Sequence, residues 1–425
     1  MNGSLDLNLD MILVDEISMV RADLFDCADV FLRAVTKRKK IPFGGVQMIF
    51  IGDLYQLPPV IRPAERQALL EAYAGPHFFN ANIFSQMRPQ FVELEKVYRQ
   101  KDAEFIRLLN AVRNNTLTEK DVAAFNRRHD PDFDPAIMKK GLHVVLTATN
   151  DHAEAINRQR LSTLSGKIFR YEGEVGGDFL PDSFPTAQTL EIKKDAQVML
   201  LNNDSLGRWV NGTMARVISA GSEEITVCLE NGSRHELEPY TWEMFRHGYD
   251  SRLKSLTTET IGTFTQYPLK LAWAVTIHKS QGKTFDHVVI DTGRGIFASG
   301  QMYVALSRCR SLDGMILKKP LTRGQALIDW AAVKFLTGFQ YARSEEYLPL
   351  SKKMEMIREA IENGSELEMI YLKASDVKSK RRVRPIEMGE MEYAGKTFPG
   401  LRAFCKERGE ERTFRVDRIL EMKVV

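Results

Sequence analysis

Met11-Ile-Leu-Val-Asp15-Glu16 is an apolar run that stops on two carboxylates, and Gln47-Met-Ile-Phe-Ile-Gly52-Asp53 repeats that form further on. A continuous apolar run has no polar face to offer water, so each reads as a strand buried on both sides, the condition of a parallel sheet. Between them Leu24, Phe25, Ala28, Phe31, Leu32 and Val35 recur at helical spacing, with Asp23 near the start and Lys37 to Lys40 at the end, where each sign suits the helix dipole. Strand, helix, strand predicts a parallel α/β unit whose two strands deliver Asp15-Glu16 and the segment after Gly52 to one edge.

The same texture returns later. Glu104 to Arg128 reads as helical and His143 to Ala148 as a short buried strand, so a second α/β domain occupies 96–187 and resumes at 256–340 with strands Leu271 to Thr276 and His287 to Asp291. Between those parts, 188–255 is β-rich, with Asn211-Gly212 and Asn231-Gly232 separating apolar runs as hairpin turns do. Residues 1–95 form the first α/β unit. A polar helix, Ser351 to Glu362, ending at Asn363-Gly364, lies in a linker over 341–364, and 365–425 is a separate β-rich module. Net charge is +3 overall, but residues 371–425 hold 14 Lys and Arg against 9 Asp and Glu, a local +5 that leaves the rest near −2. The four cysteines have no C-x-x-C spacing, against a zinc site or a disulfide scaffold and in keeping with a reducing, cytoplasmic setting. The longest apolar stretch, Leu271 to Ile277, is too short to span a bilayer, so no membrane role is expected.

Taken alone, Asp15-Glu16 reads as well as a helix cap, and Gly52-Asp-Leu-Tyr-Gln56-Leu-Pro-Pro59 as a turn stiffened by two prolines. Together they place an Asp that could hold Mg2+, a Glu that could activate water and a neutral amide that could orient it at one sheet edge. Arg99, in Val97-Tyr-Arg-Gln100, and Arg308, in Tyr303-Val-Ala-Leu-Ser-Arg-Cys-Arg310, enter from the second domain, as arginines that neutralise a transferring phosphoryl group would. Singly, each would be a surface ion pair. The turn Thr276-Ile-His-Lys279-Ser-Gln-Gly282 offers hydroxyls, Lys279 and backbone N-H groups suited to the phosphates of a single strand. Only ten residues precede Met11, so a phosphate-cradling loop and its helix are expected to lie outside this chain. Gly282-Lys-Thr284 and Gly395-Lys-Thr397 do not replace it, because Ile277 and Glu390 stand where the earlier glycine is required.

In their order these segments resemble superfamily 1 DNA helicases of the RecD and Pif type over about residues 10 to 320. The resemblance implies two RecA-like parallel-sheet domains, the first incomplete, with an inserted SH3-like β-barrel. It implies Asp15-Glu16 as the Walker B pair with Asp15 on Mg2+ through water, Gln56 as the γ-phosphate sensor, and Arg99 and Arg308 as arginine fingers. Gly282 joins these around ATP, while Thr147, Asn150, Thr276, His278, Lys279 and Ser280 track single-stranded DNA. It further implies 5′ to 3′ movement in DNA repair, recombination or replication, with ATP and Mg2+ engaged once the upstream segment is present and little hydrolysis without it. A non-catalytic DNA-binding or regulatory protein on the same scaffold is the rival expectation. The tail, through Arg382-Val-Arg-Pro385, Leu401-Arg-Ala-Phe-Cys405 and Arg412-Thr-Phe-Arg-Val-Asp-Arg-Ile419, resembles a WYL domain, an Sm-like β-fold, although Phe398-Pro-Gly-Leu401 replaces the eponymous tripeptide. Its basic surface, with Phe404 and Phe414, suits a single strand or another anionic ligand, and equally reads as a solvated basic face with its aromatics in the core.

Overall fold

Met11–Val14 pairs in parallel with Gln47–Phe50, Met11 opposite Gln47 and Val14 opposite Phe50. The computed structural model describes residues 9–94, 96–134, 142–250, 255–373, 378–393 and 395–425. The helix Ala22–Val35 covers one face of this pair and buries Phe25 and Leu32. Phe25 is the hub of an aromatic core, 5.2 Å from Phe43, 5.1 Å from Phe50 and 5.7 Å from Phe78. Part of the expected stripe points elsewhere: Leu24 is 59% and Phe31 40% exposed, while Asp29 turns inward. That carboxylate is tolerated because it accepts from Phe43 N at 2.6 Å and pairs with Arg33.

The second α/β domain is a four-stranded parallel sheet in the order 274–276, 144–147, 288–291, 315–317. Helices Ala103–Arg113 and Glu119–Asn126 contribute Phe105, Leu108 and Phe125 to its core beside Val144, Leu146 and Val288. Helix Asn150–Thr163 packs on the strands 144–147 and 274–276, and its Asn157 amide closes the edge by bonding to Ala274 in both directions.

The antiparallel strands reach beyond the 188–255 limits expected from the hairpin turns. Phe169–Glu172 pairs with Thr189–Ile192, the long strands Tyr240–Asp250 and Ser255–Gln266 pair with each other and with Glu174–Gly177, and Leu269–Leu271 closes a five-stranded sheet against Gln197–Leu200. The outer strands carry no Asn-Gly signal, which is why the turn chemistry alone missed them. Asn231-Gly232 is a tight hairpin with Gly232 in the left-handed region, whereas Asn211-Gly212 ends a longer loop.

The C-terminal sheet orders its strands 410–415, 396–405, 378–393, 367–372, 419–424, all antiparallel. Helix Leu350–Glu362 belongs to this module and not to a linker, because Ile357 and Ala360 are buried in one core with Leu367, Val383, Leu401 and Phe414. Its end at Asn363, with Gly364 left-handed, is where the sequence places it. The preceding helix, Trp330–Tyr347, bridges: Phe335 stacks on Phe79 of the first unit at 4.2 Å, while Ser344 Oγ donates to Leu420 O at 2.7 Å in the C-terminal module.

Candidate active site and nucleic-acid interface

The chain leaves Val14 into a left-handed residue, Glu16, with φ 50° and ψ 43°. A β-carbon there is crowded, so this conformation persists only where its surroundings impose it. Two constraints are visible. Glu16 N donates to Asp15 Oδ1 at 2.8 Å, and Ile17 N donates to Ile51 O at 2.9 Å. Gly52 permits the second, since a β-carbon on it would lie 3.0 Å from Ile17 N. The two strand ends are thereby pressed together, with Asp15 exposed and Glu16 half-buried.

Across the domain junction, Gln281 Nε2 donates to Glu16 Oε2 at 2.8 Å. The next residue, Gly282, has φ 76°; a β-carbon would still sit 3.9 Å from Glu16 Oε1, so backbone conformation and not space calls for glycine. Gln56 reaches the same junction by its backbone. Gly300, which caps helix Gln301–Ser307, approaches so closely that a β-carbon would fall 2.3 Å from Gln56 O. The Gln56 and Gln281 Oε1 atoms are both buried with no hydrogen-bond partner among the described residues.

Arg308 follows that helix and is 1% exposed. Its guanidinium donates to Val304 O, Lys283 O and Ser307 Oγ, and among the described residues it has no ion pair. Burial, and then the nearby positive Arg99, bring its pKa down to about 10 against the opposing pull of Glu16, Tyr303 and Asp53. Arg99 is exposed beside it. Of the five residues expected to act on the phosphoryl group, Glu16, Arg99 and Arg308 lie within one another's electrostatic reach, Asp15 adjoins Glu16, and Gln56 meets the junction through its backbone.

Several residues that sequence reasoning passed over hold this arrangement. Buried Gln100 donates to Ser307 O and Cys309 O, both at 3.1 Å, and so ties the segment of Arg99 to the backbone around Arg308. Asp53 accepts from Arg113 Nη2 at 3.0 Å and bonds Tyr303, which joins the first unit to two helices of the second. Burial acts against the Arg113 charge, but Asp53 and Tyr303 keep its pKa raised; burial first, then Asp53, raise that of Tyr303. The only signal in sequence was adjacency, Gln100 to Arg99 and Gln281 to Gly282.

The expected strand-tracking residues separate into two kinds. Thr147 is fully buried and donates to Thr149 O, Ser280 is fully buried and donates to Ile277 O, and Thr276 accepts from Lys279 N. These hydroxyls hold their own turns, which corrects the expectation that they reach a ligand. Asn150 and Lys279 are exposed, and His278 is half-buried with its pKa lowered by burial. Among the described residues no three His, Cys, Asp or Glu gather to hold a metal. One carboxylate, Asp15, still fits a Mg2+ that keeps most of its water and takes phosphate oxygens.

The profile of the PIF1-like helicase family matches residues 3–123, and that of the WYL domain matches 352–424. The ATP-dependent DNA helicase PIF1 of Homo sapiens is 36% identical over 319 residues, covering 73% of this chain and 46% of its own length. The ATP-dependent DNA helicase Pif1 of Bdellovibrio bacteriovorus is 31% identical, covering 72% of this chain and 65% of its own. The chain thus spans about half the length of the human relative. The solved structure of Pif1 helicase from Bacteroides in complex with ADP-AlF3 and ssDNA superposes with a TM-score of 0.66 at 36% identity, covering 79% of this chain and 76% of that one.

Proposed function

Because this chain belongs to the PIF1-like helicase family and ends in a WYL domain, we propose that it forms the acid-and-arginine side of an ATP-dependent DNA helicase moving 5′ to 3′ along a single strand in repair, recombination or replication. One observation carries this: Glu16 is met across the junction by Gln281, within the field of a buried arginine that has no ion pair among the described residues. ATP with Mg2+ supplies a transferable γ-phosphoryl group. Asp15 would hold the ion, Glu16 would accept the proton of the attacking water, Gln56 would orient that water, and Arg99 and Arg308 would neutralise the charge on the transferring group. The orphaned amide oxygens of Gln56 and Gln281 support the fit, since buried acceptors without donors call for water or ligand at that place. The exposed Asn150 and Lys279, with the half-buried His278, meet the strand. The insertion is read as SH3-like and the tail as Sm-like, with Arg384 over Phe404 as the anion-facing side.

The test is DNA-stimulated ATP hydrolysis with a phosphate-cradling segment present, continuous with residue 1 or supplied as a second chain. Glu16→Gln should remove hydrolysis while leaving nucleotide binding intact, and Gln281→Ala should lower kcat with little change in KM. Hydrolysis by Glu16→Gln at the unmodified rate would exclude Glu16 as the base.

A further inference from the structure

Leu269-Lys270-Leu271 is an edge strand, so its alternate side chains face opposite ways. Leu269, Val198 and Leu200 pack into the core of the antiparallel insertion, whereas Met199, directly opposite Lys270, packs into the core of the second α/β domain. Lys270 thus points out of the insertion toward that domain. There it lines a cavity of about 530 Å³ with Pro185, Met199, Asn211, Trp242, Lys279 and Lys283. The volume lies within the range of ligand clefts, roughly 300–1,000 Å³.

Three ammonium groups converge and the lining contains no carboxylate. Burial first, then Lys279 and Lys283, bring the Lys270 pKa down to about 8, and burial also lowers that of Lys283, whose amine contacts Met199 Sδ at 3.2 Å. Two partly buried ammonium groups beside the exposed Lys279, with no counter-charge in the lining, cost stability until an anion arrives. The aromatic part of the lining is stacked. Trp242 is backed by Phe264 at 5.9 Å and 26°, and Phe264 is stacked on Phe184 at 4.4 Å and 11°. A ring held in such a stack is a preorganised platform for a base.

We propose that this cavity seats one phosphodiester of a single strand, with Lys270, Lys279 and Lys283 around the phosphate and Trp242 against the neighbouring base. The proposal rests on the DNA-binding reading above and adds Lys270, Lys283 and Trp242 to it. Because Lys270 must be charged to hold the phosphate, the grip weakens as pH rises. A group titrating at about 8 goes from mostly charged at pH 7 to mostly neutral at pH 9, which corresponds to roughly tenfold in affinity. Lys283, whose pKa burial also lowers, acts in the same direction, and Lys279 is the remaining charged group of the lining.

Fluorescence anisotropy with an oligothymidylate, between pH 7 and 9 and across salt, tests this on the whole chain. Lys270→Gln should lower affinity at pH 7 and reduce the salt slope by roughly 0.7, the value for one phosphate contact on a single strand. Lys270→Arg should keep the affinity at pH 7 and flatten most of the pH dependence. Trp242→Ala should lose roughly 5- to 150-fold, and Trp242→Phe should recover part of that loss. If the unmodified chain binds but Lys270→Gln and Trp242→Ala match it in affinity and slope, the cavity is not the seat and the DNA-binding reading stands. If the unmodified chain does not bind at low salt, both fail.

Discussion

Gly300→Ala and Gly207→Ala form a matched pair, because both glycines sit at φ 71° and only one is crowded. An alanine in the left-handed region costs about 1 kcal/mol over glycine. At Gly207 a β-carbon would meet nothing within 4 Å, so this conformational cost should be the whole effect. At Gly300 it would meet Gln56 O at 2.3 Å, Gln56 C at 2.6 Å and Tyr55 O at 2.6 Å. These are backbone atoms, held by the Gln56 N to Asp53 O bond, and no side-chain rotation relieves them. Overpacking of this kind adds about 1–3 kcal/mol, giving a total of about 2–4 kcal/mol for Gly300→Ala. The contact lies between the two α/β units, so the chain can relieve it by opening the junction. Hydrogen exchange is the informative assay: amides 53–57 and 300–308 should lose protection in Gly300→Ala and keep it in Gly207→Ala, while denaturant melts rank the two costs. Equal destabilisation by both substitutions, with unchanged exchange at 53–57, would refute the close approach of Gly300 to Gln56.

Two further outcomes follow from buried polar groups. Gln100→Ala leaves the Ser307 and Cys309 carbonyls without the amide that joins them, at about 1–3 kcal/mol, and should lower DNA-stimulated turnover more than nucleotide affinity because Arg308 loses its mooring; unchanged kcat would make Gln100 merely a packing residue. Lys353, buried with its amine on Ser344 Oγ at 2.9 Å, has its pKa lowered by burial, so the unfolded chain binds more protons and native stability rises with pH up to the ordinary lysine value near 10.5. Lys353→Met should flatten that alkaline rise in denaturant melts of the C-terminal module, and an unchanged slope would mean the amine is solvated.

The parallel strands and the polar residues that follow them were legible because both rest on local pattern: apolar runs of four to five residues, with polar residues at their C-terminal ends. What escaped depended on neighbours distant in sequence. Nothing near Leu350–Glu362 says that Ile357 will share a core with Val383 and Phe414, so the helix read as a linker. Leu24 and Phe31 fit the helical stripe, yet the helix turned to bury Asp29, because Arg33 and Phe43 N satisfied its carboxylate. Thr147 and Ser280 have the right chemistry for a phosphate, but their hydroxyls close their own turns.

Charge shows the same division most sharply, since a lysine or arginine in a sequence carries no mark of whether it will be paired. In the structure Arg113 is held by Asp53, Lys378 by Glu93, Arg415 by Asp417, and Lys380 and Lys423 by Glu368, which fixes each of them to the fold. Arg308, Lys270 and Lys283 differ: burial lowers the pKa of each at the junction and at the cavity, and among the described residues none of them has an ion pair with a carboxylate. A fold does not gain stability by desolvating cations that way, and both places lie on surfaces shared by two structural units. An anion that supplies the missing charge therefore favours the arrangement in which those units meet. Anion affinity and domain closure are then linked, each strengthening the other by the same factor.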